Sequence, residues 1–121
     1  LEHLGGAGVH LETSGVAHLG AASEGEALAL CRRVLGYLPS NNVESPPFAP
    51  SGDDPQRMDE ELNSIVPLDR AVPYEMHAVI ERVVDAGSFL ELQPGWARNA
   101  IIGLARLGSF SVGVVAQDQP R

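Results

Sequence analysis

The sequence predicts an α/β protein built as two units joined by a proline-rich connection, and three observations carry that expectation. One amphipathic run opens at Ser23 and a second follows Pro73. Strand-like apolar runs divided by a glycine fill the C-terminal part of the chain. Between the helices, the stretch from Pro39 to about Asp59 holds Pro39, Pro46, Pro47, Pro50 and Pro55, with Ser, Asn, Gly and Asp among them, and no periodic pattern survives that density. A structureless connection of about 20 residues is uncommon inside a compact domain, so it marks a boundary.

The elements follow in chain order. From Leu1 to about Ser23 the chain is rich in Gly and small residues, with runs such as Gly15-Val16-Ala17-His18-Leu19. These have no helical period and read as strand or turn. Ser23 and Glu26 have the spacing of a capping box, in which each side chain satisfies a free backbone N–H. Ala27, Leu30, Cys31, Val34, Leu35 and Leu38 then form one apolar stripe at helical spacing. Arg32 and Arg33 in its later half suit the helix dipole, and Pro39 stops it. Beyond the linker, Pro73 opens the second helix, with Met76, Val79, Ile80, Val83 and Val84 inward and Gly87 placed as its stop. Ser88–Gln93 reads as a short strand, and Ala100–Leu107 and Ser109–Ala116 as a hairpin turning at Gly108. The doublets Ile101-Ile102 and Val114-Val115 predict strands covered on both faces, as in a larger layered structure.

Composition removes several function classes. The 121 residues include 8 basic side chains, all Arg, against 16 acidic ones, a net charge of −8. Duplex binding draws on Lys and Arg facing phosphates, and the arginines here are dispersed, so nucleic acid and anionic membranes are disfavoured. With 44% hydrophobic residues the chain is too apolar for a disordered segment. No apolar stretch reaches the roughly 20 residues of a spanning helix, and the N-terminus lacks the basic start and apolar core of a signal peptide. A single cysteine, Cys31, excludes an internal disulfide and fits a reducing compartment, with the cytoplasm as default. The Gly-rich start at Leu1 gives the chain the look of a piece of something longer.

Side-chain chemistry is sparse. His3, His10, His18 and His77 have no zinc-ligand spacing and Cys31 has no cysteine partner, so no metal site is expected. Cys31, on the apolar stripe, reads as a small buried residue rather than a nucleophile. Gly-x-Ser-x-Gly is absent around Ser14, and one Ser with scattered His makes no triad. Gly5-Gly6-Ala7-Gly8 lacks both the Lys-Ser/Thr ending of a P-loop and the Gly-x-Gly-x-x-Gly spacing, and reads as a tight turn. Asp53-Asp54 and Asp59-Glu60-Glu61 read as a solvated charge run beside the linker, and Trp96 as a core or interface anchor. No catalytic residue is assigned. Ser14, Gly15 and His18 are the candidates for substrate contact, because a Gly-bearing turn lets backbone approach a bound group closely.

Longer phrases carry a resemblance. Leu4-Gly5-Gly6-Ala7, His10, Thr13-Ser14-Gly15-Val16-Ala17-His18, Tyr37-Leu38-Pro39-Ser40-Asn41-Asn42, Glu61-Leu62-Asn63-Ser64-Ile65-Val66-Pro67 and Pro73-Tyr74-Glu75-Met76 stand in one register. They continue with Asp85-Ala86-Gly87-Ser88-Phe89-Leu90-Glu91, Ala97-Arg98-Asn99, Gly103-Leu104-Ala105-Arg106-Leu107-Gly108 and Val112-Gly113-Val114-Val115-Ala116. The whole resembles the carboxyltransferase (beta) subunit of biotin-dependent acyl-CoA carboxylases, the propionyl-CoA carboxylase type above all. It departs from that family at Leu104, where Phe is usual, around Ser109 to Gly113, and in Ala116-Gln117-Asp118-Gln119-Pro120, one residue longer than the family's ending.

The resemblance implies a fold of two crotonase-like (ClpP/crotonase) layered αβ spirals in tandem. Residues 1–45 would close the N-terminal carboxyltransferase domain, 46–57 would be the linker, and 58–121 would open the C-terminal domain. It implies transfer of CO2 from carboxybiotin, carried on a partner subunit, to the α-carbon of an acyl-CoA. That reaction needs backbone N–H donors aimed at a thioester enolate and leaves the hard step to the cofactor, which agrees with the absence of an acid, base or nucleophile set. The family's oxyanion loops flank the region corresponding to this chain. A biotin carboxylase/biotin-carrier partner and ring-like hexamers with large apolar interfaces are implied as well. Two rival expectations are a non-catalytic assembly or scaffold piece, and a decarboxylase or transcarboxylase relative that uses the same fold and biotin.

Overall fold

A computed structural model describes residues 2–69 and 71–118, so the Gln119-Pro120 ending of the last run lies outside the described residues. Its helices are α1 (Glu2–Gly5), α2 (Glu24–Leu35), α3 (Leu62–Ile65) and α4 (Met76–Val83), with a π-helical turn at Val9–Thr13. The strands β1 (Leu90–Leu92), β2 (Ala100–Leu107) and β3 (Phe110–Gln117) form an antiparallel meander in that order. The first block is therefore partly helical rather than strand and turn: the Gly6 carbonyl accepts from the Val9 and His10 N–H groups and bends the glycine run into a turn.

The sheet builds its main hydrophobic core on one face. Leu107 pairs with Phe110 across the two-residue loop Gly108-Ser109, and both loop residues have positive φ (56° and 75°), the twist that suits a tight hairpin. Side chains alternate across a strand, so Ile101, Gly103 and Ala105 share a face with Ala116, Val114 and Val112 of β3. Onto it α4 lays Ile80 and Val84, making the core with Ile101 and Ala105, while Met76 and Phe89 pack at its margin. Gly103 is required there, since a Cβ would meet the Phe89 ring at 2.5 Å. On the opposite face Leu90 is buried and Ile102 half-buried, but Val115 is 84% exposed, so the expectation of strands covered on both sides fails for β3.

The predicted ends shift for local reasons. Ser23 caps α2 as expected, accepting from the Glu26 N–H at 3.2 Å, and the Glu26 carboxylate answers at the Ala22 N–H, 2.8 Å away. The helix ends at Leu35, ahead of Pro39, because Tyr37 and Leu38 tighten onto the carbonyls of Val34 and Leu35. Helix α4 stops at Val83, ahead of Gly87. There Asp85 leaves the helical path, donates its N–H to the Arg106 carbonyl and accepts from the N–H groups of Gly108 and Ser109 at 2.8 and 2.7 Å. Gly87 instead turns the chain into β1 with φ +68°. Val83, expected inward, is half exposed.

The largest departure is α2. None of its residues is buried. Leu35 is 66% exposed, Cys31 and Leu38 are exposed, and Leu30 and Val34 are half-buried, so the stripe faces a groove rather than a core. Cys31 is accordingly not a buried residue. The linker has no helix or strand, yet it is fastened down: Ala49 and Ser51 donate to Ser109, Phe48 meets Phe110 edge-on at 5.2 Å, and Asp53 holds Arg57 at 2.5 Å. Asp59 and Glu61 are paired with Arg82, so much of the acidic run is ion-paired rather than merely solvated.

Candidate functional site

Backbone strain points to one place. Among the described residues, three other than glycine have positive φ: Gln93 (55°), Ala97 (50°) and Ser109 (75°). Ser109 is the hairpin turn, held by Asp85, whereas Gln93 and Ala97 bracket Trp96. Such conformations persist where surroundings over-determine them, and they gather at functional sites. Here the surroundings are the glycine turn of the first block. The Gln93 N–H donates to the His18 carbonyl at 2.8 Å, and its side-chain amide donates to the Gly15 carbonyl. Trp96 lies flat against Gly15, itself at φ +65°, so closely that a Cβ would sit 2.5 Å from the indole.

Of the three candidate contact residues, Gly15 is buried under Trp96, and Ser14 and His18 are exposed beside it. The Ser14 hydroxyl lies 3.2 Å from His10 Nδ1 and 3.5 Å from the Val16 N–H. His18 joins the site through its carbonyl. The close approach that Gly15 permits is thus taken by the chain's own indole. A groove of about 630 Å³ leads away from this junction between Leu11, Glu12, Leu19, Ala22, Leu30 and Pro94, and a second of about 430 Å³ continues along α2 to Cys31 and Leu35.

Sequence reasoning missed Gln93 and His10 as parts of the site, and it named Trp96 without its partner. Gln93 and Gly15 are 78 positions apart, so no local spacing joins them. The one available signal was Gln93-Pro94-Gly95-Trp96 itself, a turn that offers a large aromatic to something.

A second fastening joins the same parts of the chain. Arg106, on the sheet face opposite Ala105, donates to the carbonyls of Gly36 (2.6 Å) and Pro47 (2.8 Å) and to the Ser111 hydroxyl (3.2 Å). Its guanidinium also stacks 4.9 Å over Tyr37. Tyr37 OH reaches the Ser88 carbonyl, and Arg33 donates to the Phe89 carbonyl at 2.7 Å. Among the described residues, one set of three His or acidic side chains brings donor atoms within 4.8 Å of one another: Glu75, His77 and Asp118. Carboxylates already engage both ring nitrogens of His77, Glu91 at 2.9 Å and Glu75 at 3.4 Å, which makes this an ion-paired cluster. Burial lowers the His77 pKa, but Glu91 and then Glu75 outweigh it, and the group sits above its ordinary 6.5.

The chain matches the family described as the carboxyl transferase domain over residues 1–121. It is 48% identical over 120 residues to the carboxyltransferase subunit of propionyl-CoA carboxylase from Haloferax mediterranei, covering 99% of this chain and 23% of that protein. It is equally identical, over the same shares, to the methylmalonyl-CoA decarboxylase subunit alpha of Veillonella parvula. The structure of the transcarboxylase 12S hexamer with methylmalonyl-coenzyme A and methylmalonic acid bound superimposes with a TM-score of 0.91 at 36% identity, over 97% of this chain and 23% of that one. The chain thus spans about a quarter of the length of these relatives. It shares their α/β fold over that span, and it belongs to the carboxyl transferase family.

Proposed function

We propose that this chain is a segment of the carboxyltransferase subunit of a biotin-dependent acyl-CoA carboxylase, which moves CO2 from carboxybiotin to the α-carbon of a propionyl-CoA-like substrate. The observation that carries the reading is the family match from end to end, joined to the 0.91 superposition on a transcarboxylase core that holds methylmalonyl-coenzyme A. The local chemistry agrees. The segment contributes strained backbone and an aromatic lid rather than an acid–base pair, as expected where an enolate is held by backbone N–H donors.

At Gly15 itself the approach is filled by Trp96. We assign Ser14, Gly15 and His18 to the border of the acyl-CoA site: two exposed side chains on either side of a fixed glycine turn. On the crotonase-like reading, residues 1–45 close one domain, 46–57 link, and 58–121 open the next. The Trp96–Gly15 and Arg106–Gly36 contacts then join the two domains. The bare apolar stripe of α2 supports burial against further polypeptide of the whole subunit, which self-associates and works in the cytoplasm with a biotin carboxylase/biotin-carrier partner.

The identity to the Veillonella decarboxylase subunit, equal to that with the carboxylase, favours a second reading in which the same segment serves a biotin-dependent decarboxylase. A chimera separates the two. Placing residues 1–121 in the Haloferax carboxyltransferase subunit, in place of its matching segment, should preserve labelled-CO2 transfer to propionyl-CoA. An assembled chimera that decarboxylates methylmalonyl-CoA but fixes no label favours the second reading, and one that does neither contradicts both.

A further inference from the structure

Strand β3 ends the described sheet with an open edge. The meander runs β1-β2-β3, so β3 is paired along one side. Its register with β2 is unbroken from Phe110 to Gln117, and the Asp118 N–H continues it by donating to the Asn99 carbonyl at 3.0 Å. Bonded and non-bonded pairs alternate along an antiparallel ladder, so the bonds to β2 fall on the even-numbered residues of β3. Ser111, Gly113, Val115 and Gln117 therefore turn their N–H and C=O groups outward. Edges are commonly blunted by charge, proline or a bulge, and Phe110–Gln117 has none of these. Beside the edge, between α4 and β3, runs a groove of about 370 Å³ lined by Val79, Val83, Val112, Val114 and Ala116, with no charged side chain along it.

This edge complements itself. Two copies of β3 laid antiparallel about Val114 bring Ser111 opposite Gln117 and Gly113 opposite Val115, each pair exchanging both of its outward backbone bonds. Sliding the register by two residues loses pairs. On the face away from α4, the exposed Val115 side chain of each copy then covers Gly113 of the other. A Cβ at Gly113 would meet nothing within 4 Å in the single chain, so no contact inside the chain asks for a glycine there. On the other face, Val114 meets Val114 and Val112 meets Ala116, and the two apolar grooves join between the two α4 helices. The chain's net charge of −8 sets copies against each other as wholes, and this uncharged edge is a place where they can meet. We propose that β3 is a homotypic docking edge: a second copy of this chain adds its own β3 antiparallel about Val114, giving a closed, twofold-symmetric dimer with a continuous six-stranded sheet. The proposal rests on the edge and its groove and is independent of the carboxyltransferase reading.

The test uses the 121-residue chain with Leu35→Asp, which removes association through the α2 stripe. Sedimentation should show a monomer–dimer equilibrium without larger species. Amide hydrogen exchange by NMR, at concentrations below and above the midpoint, should show the Gly113 and Val115 amides gaining about tenfold or more in protection in the dimer. The Val112 and Val114 amides, already bonded to β2, should be protected at both concentrations. Val115→Lys, at an exposed position, should weaken the dimer about tenfold or more and leave the melt of the dilute chain unchanged. Gly113→Val should tighten it through a cross-strand pair with Val115 of the second copy. The amide pattern of the Leu35→Asp chain decides the matter even where a β3 variant fails to fold. A chain that stays monomeric, a dimer whose Gly113 and Val115 amides remain unprotected, or a folded Val115→Lys chain that dimerises as before would overturn the proposal.

Discussion

Helices α2 and α4 read alike in sequence, each with an apolar stripe at helical spacing and a basic residue in its last turn, yet they end in opposite environments. Helix α4 buries Ile80 against Ile101 and Ala105, whereas α2 buries nothing and turns Leu30, Cys31, Val34 and Leu35 to an open groove. The capping box and dipole charges of α2 are as good as sequence can make them. The lesson is that an amphipathic pattern tells which face of a helix is made to be covered, and says nothing of whether the cover lies in the same chain.

The sharpest way to break this comparison is to cut into each helix's contacts in turn. Ile101→Ala, at a side chain only 1% exposed, should cost about 2–5 kcal/mol in a denaturant melt, with Ile80→Ala close behind. A loss no larger than that at an α2 leucine would erase the distinction.

Asp85, which stops α4 and holds the hairpin turn, comes next. Burial pushes its carboxyl up, but the Ser109 and Gly108 N–H groups, the Ser51 hydroxyl and Arg57 hold it below the usual 3.8. Its stabilisation is therefore present above that value and lost as pH falls through the lower folded-state pKa. Asp85→Asn should cost about 1–3 kcal/mol at neutral pH and flatten the acid limb of the stability profile. An unchanged acid limb would deny Asp85 this role.

Gly15→Ala should cost about 1–3 kcal/mol, since it adds a Cβ under Trp96 at a left-handed residue. Trp96 fluorescence should shift with it. An unshifted spectrum with unchanged stability would show that the indole does not rest on that turn.

The smallest effect belongs to α2. Leu35→Ala should change the stability of the isolated chain by less than about 0.5 kcal/mol. Leu35→Asp should reduce concentration-dependent self-association in sedimentation, because the exposed apolar stripe is what draws chains together. A core-sized loss would place Leu35 in a packed interior.

Much of the fold was legible because it is local. The Ser23 cap, the bounds of β2 and the glycine turn of the hairpin follow from adjacent residues. Helix ends were less legible, since α4 yields at Val84 to a hydrogen bond that Arg57 donates to the Val84 carbonyl and one that the Asp85 carboxylate accepts from Gly108, both reaching across the chain. The site was half legible. Gly15 announced a close backbone approach, but the group that approaches is Trp96, and its strained neighbours Gln93 and Ala97 carry no mark in a sequence that places no glycine there. His77 looked like a surface histidine because the carboxylate opposite it is set by strand register.

The most direct test of this account uses Cys31, the chain's sole cysteine, as a reporter of the α2 face. Its alkylation rate can be followed by peptide mass spectrometry in the dilute chain and in the Haloferax chimera. The account predicts a thiol that reacts like an exposed one in the chain alone and about tenfold or more slowly once the subunit is assembled. A thiol already protected in the dilute chain, or equally reactive in both, would contradict it.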